Sequence, residues 1–195
     1  MKFRKLILLT LVFTLICTSA VYADSVTQKI KLWVINNKKV EVANGSIVVD
    51  NKLYISSDVV SDKLQAIVIW DEGDKKATIY KPNVHMITSE GSRIFGDVKL
   101  KDKFKFNTFV QVDSLKADIS ALKLTISDPY GDDTLIESRK SGDSDFPDGK
   151  NDFWITMKDI SYNFDSVGSY TLRFWVKPVG ASSFQLISEK VISSK

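Results

Sequence analysis

The sequence predicts a small α+β module, an antiparallel sheet carrying one short helix, followed by an all-β sandwich. Three observations lead there. Short runs rich in Val, Ile, Leu and aromatic residues recur along the chain, separated by Asn, Asp, Gly and Pro. Only the stretch holding Val59, Val60, Lys63 and Leu64 is read as helical. From Phe95 onward the runs alternate apolar and polar residues, the pattern of sheets buried on one face.

Ahead of both modules stands a targeting segment. Lys2, Arg4 and Lys5 form a basic head, and residues 6–16 are apolar apart from Thr10 and Thr14. That run is shorter than the roughly 20 residues a bilayer span needs. Val21-Tyr22-Ala23 follows with small residues at −3 and −1, so residues 1–23 are expected to be a signal peptide cut after Ala23. Retention as an uncleaved anchor is the alternative. Cys17 is not expected to accept a lipid, because bulky Ile16 precedes it where a lipobox wants a small residue.

Cleavage would remove the only cysteine, and with it thiol and disulfide chemistry. It would also remove three basic residues and no acidic ones, leaving 24 basic against 24 acidic. A neutral mature chain gives no electrostatic ground for a nucleic-acid or anionic-lipid partner, and neither is expected. No membrane span is expected after cleavage, and the sequence is silent on oligomeric state.

The first module is expected over residues 24–83. Residues 30–35 and 38–42 read as strands joined by a tight Asn36-Asn37 turn, since asparagine tolerates the left-handed conformation a two-residue turn requires. Asn44-Gly45 and Asp50-Asn51 are further turns, with strands at 47–49 and 53–55. Ser56 or Ser57 can cap a short helix running to about Gln65, with Asp58 in its first turn. Residues 67–70 and 77–80 are strands joined by the polar turn at 71–76.

These residues resemble the bacterial stalk domain, also called the copper amine oxidase N-terminal-like domain. The resemblance rests on Val34-Ile35-Asn36-Asn37-Lys38, on Val48-Val49-Asp50-Asn51-Lys52-Leu53-Tyr54-Ile55, on Leu64-Gln65-Ala66, and best on Val68-Ile69-Trp70-Asp71 with Asp74-Lys75-Lys76 and Ala77-Thr78-Ile79. It covers residues 30–81. Asn37 and Asn51 stand where that family usually has glycine, Ser56-Ser57 replaces a proline-leucine-arginine element, and Gln65 replaces the helix-ending glycine. The resemblance implies an accessory attachment or spacing module at the cell surface, with no copper site despite the family's name.

Residues 84–92 are expected to link the modules, although Val84-His85-Met86-Ile87 is apolar enough to be a strand of either. The sandwich is expected over residues 93–195, with strands at 103–112, 121–127, 133–138, 153–157, 168–177 and 184–192. Asp128-Pro129-Tyr130-Gly131 is a strong turn. Gly168-Ser169-Tyr170-Thr171-Leu172 resembles the start of the penultimate strand of immunoglobulin-like domains, which makes Tyr170 the tyrosine-corner candidate and the module an Ig-like sandwich.

The chemistry-bearing residues are few. His85 is the lone histidine and has no nucleophile motif to serve, so an exposed or interface role is expected over a catalytic one. One histidine and no mature cysteine argue against copper or zinc, which want several nitrogen or sulfur ligands. The calcium candidate is the acidic loop with Asp143, Asp145, Asp148, Asn151 and Asp152, although its spacing departs from the EF-hand pattern and a solvated loop needs such residues anyway. Trp70, Trp33 and Trp154 adjoin apolar runs and are expected in the core. Trp175 alternates onto a polar face beside Arg173 and Lys177, where it could stack on a sugar ring or anchor a partner, unless a loop or the first module covers it.

The expected function is therefore that of a secreted, non-catalytic protein attaching to the cell envelope, with a wall polymer or another surface protein as partner and no cofactor. A carbohydrate- or calcium-dependent extracellular binding module is the alternative. An unrecognised extracellular hydrolase is the second, since paired carboxylates are matched in space and not in sequence.

Overall fold

The computed structural model describes residues 28–29, 32–36, 38–42, 44–100 and 103–195. The chain divides into two compact units, residues 1–59 and 60–195. The signal-peptide residues, Cys17 among them, lie outside the described residues.

Among its described residues the first unit holds five short strands: β1 (Gln28–Lys29), β2 (Leu32–Asn36), β3 (Lys38–Val42), β4 (Ser46–Val49) and β5 (Lys52–Ile55). β1, β4 and β5 form one antiparallel sheet, while β2 and β3 form a separate hairpin. Asp50 and Asn51 have φ of 48° and 59°, and Val49 pairs with Lys52 across them. Two successive left-handed residues make the two-residue turn whose twist matches a hairpin. The β2–β3 hairpin differs from expectation. A two-residue turn at Asn36-Asn37 would pair Ile35 with Lys38, whereas Ile35 pairs with Lys39. Gly45 is fixed by space, because a Cβ there would meet Val42 Cγ1 at 2.6 Å and Val59 Cγ2 at 2.8 Å.

The expected helix shrinks to one turn, wound as a π-helix over Val59–Lys63. Ser56 caps it as the sequence suggests, with its Oγ accepting from the Val59 N–H at 3.4 Å. Gln65 ends the turn with φ of 54°, and the Ala66 N–H reaches back to the Val60 carbonyl at 3.3 Å. This is the left-handed stop that glycine makes at least cost. The Lys81 ammonium closes the remaining carbonyls, donating to Leu64 O at 2.7 Å and Gln65 O at 2.8 Å. Partial burial there holds the Lys81 pKa below its usual value.

The second unit is mostly antiparallel β. Its strands are β6 (Ile67–Asp71), β7 (Lys76–Tyr80), β8 (Asn83–Glu90), β9 (Arg93–Ile94), β10 (Asp97–Val98), β11 (Lys103–Asp113), β12 (Ile119–Ser127), β13 (Asp133–Lys140), β14 (Phe153–Asn163), β15 (Gly168–Pro178) and β16 (Gln185–Ser194). Two sheets form a sandwich: a five-stranded one ordered β10-β16-β15-β12-β13 and a four-stranded one ordered β14-β11-β8-β9. Only β10 runs parallel to its neighbour β16 among the described pairs.

Alternation builds the core. Leu122, Leu124 and Ile126 of β12 and Tyr170, Leu172, Phe174 and Val176 of β15 face Phe106, Val110 and Val112 of β11 and Phe153, Ile155 and Met157 of β14. A chain of edge-to-face aromatic contacts closes one end through Tyr162, Phe164 and Tyr170. The Tyr170 hydroxyl accepts from the Ser166 N–H at 3.0 Å. Burial raises the Tyr162 pKa above the usual tyrosine value, and the neighbouring Tyr170 adds to the shift.

Two sequence-based boundaries need correction. Residues 84–92 are not a linker: β8 occupies most of them and pairs with β11 from Asn107↔Ser89 to Asp113↔Asn83. Val84, Met86 and Thr88 turn inward while His85 and Ile87 turn out, a period-two pattern that satisfies a strand. The first module also does not extend to residue 83. Ile67 is fully buried in the sandwich core, and Ile69 and Tyr80 pack against that core, so the β6–β7 hairpin belongs to the second unit.

Candidate functional site

The acidic loop after β13 spends its carboxylates on its own shape. Asp143 Oδ2 accepts from the Lys140 N–H at 2.8 Å. Asp148 accepts from the Ser141 hydroxyl at 2.6 Å and from the Gly142 N–H at 3.2 Å. Asp145 pairs with Arg139 at 2.7 Å, and Asp152 accepts from the Ser114 N–H at 2.7 Å. The Asn151 carbonyl accepts from the Leu115 N–H at 2.9 Å. Each of these four carboxylates thus has at least one oxygen engaged by a donor of the chain. Among the described residues, no three His, Cys, Asp or Glu side chains are grouped to hold a metal ion.

The Trp175 face is also taken up by the chain itself. Trp175 lies on the outer side of the five-stranded sheet, half-buried, and its indole N–H donates to Thr125 Oγ1 at 2.9 Å. The Lys123 ammonium sits 5.1 Å from its ring centroid and 4.6 Å from that of Phe184. Arg173 is held between Asp133 at 2.8 Å and Glu189 at 3.0 Å. Lys177 is half-buried, and its backbone carbonyl accepts from the Ser120 hydroxyl at 3.2 Å. The group over the ring is Lys123 of the neighbouring strand β12, rather than a loop or the first module.

Two tryptophans expected in the core are on the surface. Trp70 is 55 % exposed, because β6 buries Ile67 and Ile69 on its other face. Its indole N–H donates to Glu72 Oε2 at 2.6 Å, and the hydrogen bonds from Lys75 and Trp70 hold the exposed Glu72 carboxyl below its usual pKa. Trp154 is 73 % exposed, because its strand neighbours Phe153 and Ile155 are the ones turned into the core. The side chain of Trp33 lies outside the described residues.

Trp154 stands on the edge strand β14, on the outer face of the four-stranded sheet. Register places Trp154 opposite Gln111, and Gln111 opposite His85, in one cross-strand row. The next row holds Thr156, Phe109 and Ile87. Gln111 is oriented by Asp113, whose Oδ2 accepts from its Nε2 at 2.9 Å. On the other side of Trp154 a shallow groove is lined by Arg139, Asp145, Thr156 and Lys158. Arg139 is nearly buried there, paired with Glu137 at 2.6 Å and donating to the Thr156 carbonyl at 3.3 Å. The exposed indole is thus flanked on both sides by polar groups that the chain itself holds in place.

This grouping was readable in part. Phe153, Ile155 and Met157 alternate with Trp154, Thr156 and Lys158, which already turns Trp154 away from the core. The pairing with Gln111 and His85 was not readable, because it depends on β8 lying in the sheet.

No protein-family model matches the chain. No curated protein matches it either. Among solved structures it is similar to the X-ray structure of Northeast Structural Genomics Consortium target SoR45, at 12 % identity and a TM-score of 0.35, over 58 % of this chain and 86 % of that one. A likeness of that degree bears on neither fold family nor function.

Proposed function

We propose that this is an exported, non-catalytic binding protein of the cell envelope, which holds a wall polymer or another surface protein through the outer face of its four-stranded sheet. The observation that carries the reading is Trp154, 73 % exposed between side chains fixed by Asp113 on one side and by Glu137 and Asp145 on the other. A large aromatic left in water beside pre-oriented polar groups is what a recognition surface needs and what a core does not. Export rests on the basic and apolar pattern of residues 1–23.

The finer fold assignment is part of the same proposal. An Ig-like sandwich is supported by the strand order, by β10 running parallel to β16, and by the Tyr170–Ser166 corner. The stalk-like reading rests on the sequence motif of residues 30–81 alone, since its Trp70-Asp71 and Ala77-Thr78-Ile79 part belongs to the second unit. Calcium is left out of the proposal because, among the described residues, no three of the loop carboxylates are grouped together.

Sedimentation of the purified protein with protein-free bacterial wall, at two salt concentrations and with and without calcium, tests it. Co-sedimentation that is insensitive to calcium is expected. A protein that stays in the supernatant under every condition contradicts envelope attachment.

A further inference from the structure

Resting on that reading, we infer that the Trp154 face is a carbohydrate site, and that a glycan chain lies across the four-stranded sheet along the row Trp154, Gln111, His85. The chemistry of the row fits a sugar better than it fits a peptide or a nucleic acid. A pyranose ring presents an apolar C–H face and a rim of hydroxyls that both donate and accept. The Trp154 indole offers the flat face for the first. The rim would meet planar polar groups at its own level: the Gln111 amide, its carbonyl oxygen turned from Asp113 by the Nε2 hydrogen bond, and the His85 imidazole one strand further on.

Neighbouring strands lie about 4.8 Å apart, so the row extends about 10 Å, room for more than one ring in line. Phe109 and Ile87 in the next row continue the apolar floor, and the groove with Asp145, Thr156 and Lys158 continues the polar rim beyond the sheet edge. Asp113 beside Gln111 and Asp145 in the groove keep lone pairs that can accept from sugar hydroxyls.

The orientation of these groups is a second, independent observation. Gln111 and Arg139 would each be free rotors on an ordinary surface. Here Asp113 fixes one, and Glu137, Asp145 and the Thr156 carbonyl fix the other. Fixing them before binding removes ordering cost from the bound state.

Affinity electrophoresis tests the inference with three probes: glycol chitin, hydroxyethyl cellulose and soluble glycan strands released from wall by a muramidase. Retardation by at least one probe is expected. Trp154→Ala should weaken it by about tenfold, Trp154→Phe should restore most of it, and Trp175→Ala should leave it unchanged. Gln111→Ala should weaken it less than the loss of the ring.

Wall binding that survives Trp154→Ala, with no retardation by any probe, overturns the carbohydrate site and leaves envelope attachment standing. Retardation without wall binding does the reverse. Retardation that Trp154→Ala does not reduce places the sugar elsewhere and also overturns the inference. Absence of both kinds of binding overturns the two together.

Discussion

The side chain of Gln185 pairs with the main chain of Val68 as a strand would. Its Oε1 accepts from the Val68 N–H at 2.8 Å, and its Nε2 donates to the Val68 carbonyl at 2.9 Å. One amide therefore replaces a rung of β-ladder between β16 and the β6–β7 hairpin. Both Val68 groups are partly buried, so removing their partner strands a donor and an acceptor together. Gln185→Ala is expected to cost about 1–3 kcal/mol. It should also speed hydrogen exchange at the Val68 amide ahead of the sandwich core. Unchanged exchange at Val68 would mean that the packing of Ile67, Ile69 and Tyr80 holds the hairpin without the amide.

Gln65 occupies a position that glycine takes more easily. With φ of 54° it carries a side chain through the left-handed region, where a Cβ costs about 1–2 kcal/mol. Glycine gives back part of that through its unfolded-state entropy, so Gln65→Gly should stabilise the protein by roughly 0.5–1 kcal/mol in urea titrations. Destabilisation instead would show that the 3.4 Å hydrogen bond from Gln65 Nε2 to Glu189 outweighs the backbone term.

Asp128 ties the β12–β13 turn with one oxygen. Its Oδ1 accepts from the N–H groups of Tyr130 at 2.8 Å, Gly131 at 2.8 Å and Asp132 at 2.9 Å. Those amides are exposed, so water can replace the carboxylate in part. Asp128→Ala is expected to lower stability by about 1–2 kcal/mol, and Asp128→Asn by less, because the amide oxygen still accepts. Equal losses for both variants would point to charge as the source.

Tyr162 is expected to contribute to the loss of stability at alkaline pH. Its folded pKa is raised, chiefly by burial, above the ordinary value of about 10. A raised pKa means that the folded state holds the phenolic proton more tightly than the unfolded chain does. The associated stability is complete below pH about 10 and is lost as pH climbs through the folded pKa. Tyr162→Phe should flatten the fall in stability above pH about 10 without moving the profile near neutrality. A profile of the same steepness in the variant would assign the alkaline loss to other groups.

The readable and unreadable parts of this chain separate on physical grounds. The sandwich strands were legible because each is long enough for period two to show, as in Leu122, Leu124 and Ile126. The Asp50-Asn51 turn was legible because few residues accept two left-handed positions in succession. β8 was placed in a linker because Pro82-Asn83 looks like an ending, and only the non-local pairing with β11 shows that a strand begins there. Hydrophobicity alone places Trp154 and Trp70 in the core, although alternation with Phe153 and Ile155, or with Ile67 and Ile69, turns both outward. The groups around Trp154 come from β8, β11, β13, β14 and the acidic loop, and no local pattern announces such a gathering.

The most direct test of the binding face follows the four tryptophan indole N–H signals by NMR while soluble wall glycan is added. Trp154→Phe identifies one signal by its loss and Trp175→Phe another. The Trp154 signal should shift in proportion to occupancy while the Trp175 signal, hydrogen-bonded to Thr125, holds its position. Binding that moves Trp175 and leaves Trp154 unmoved would contradict the account and return the site to the five-stranded sheet.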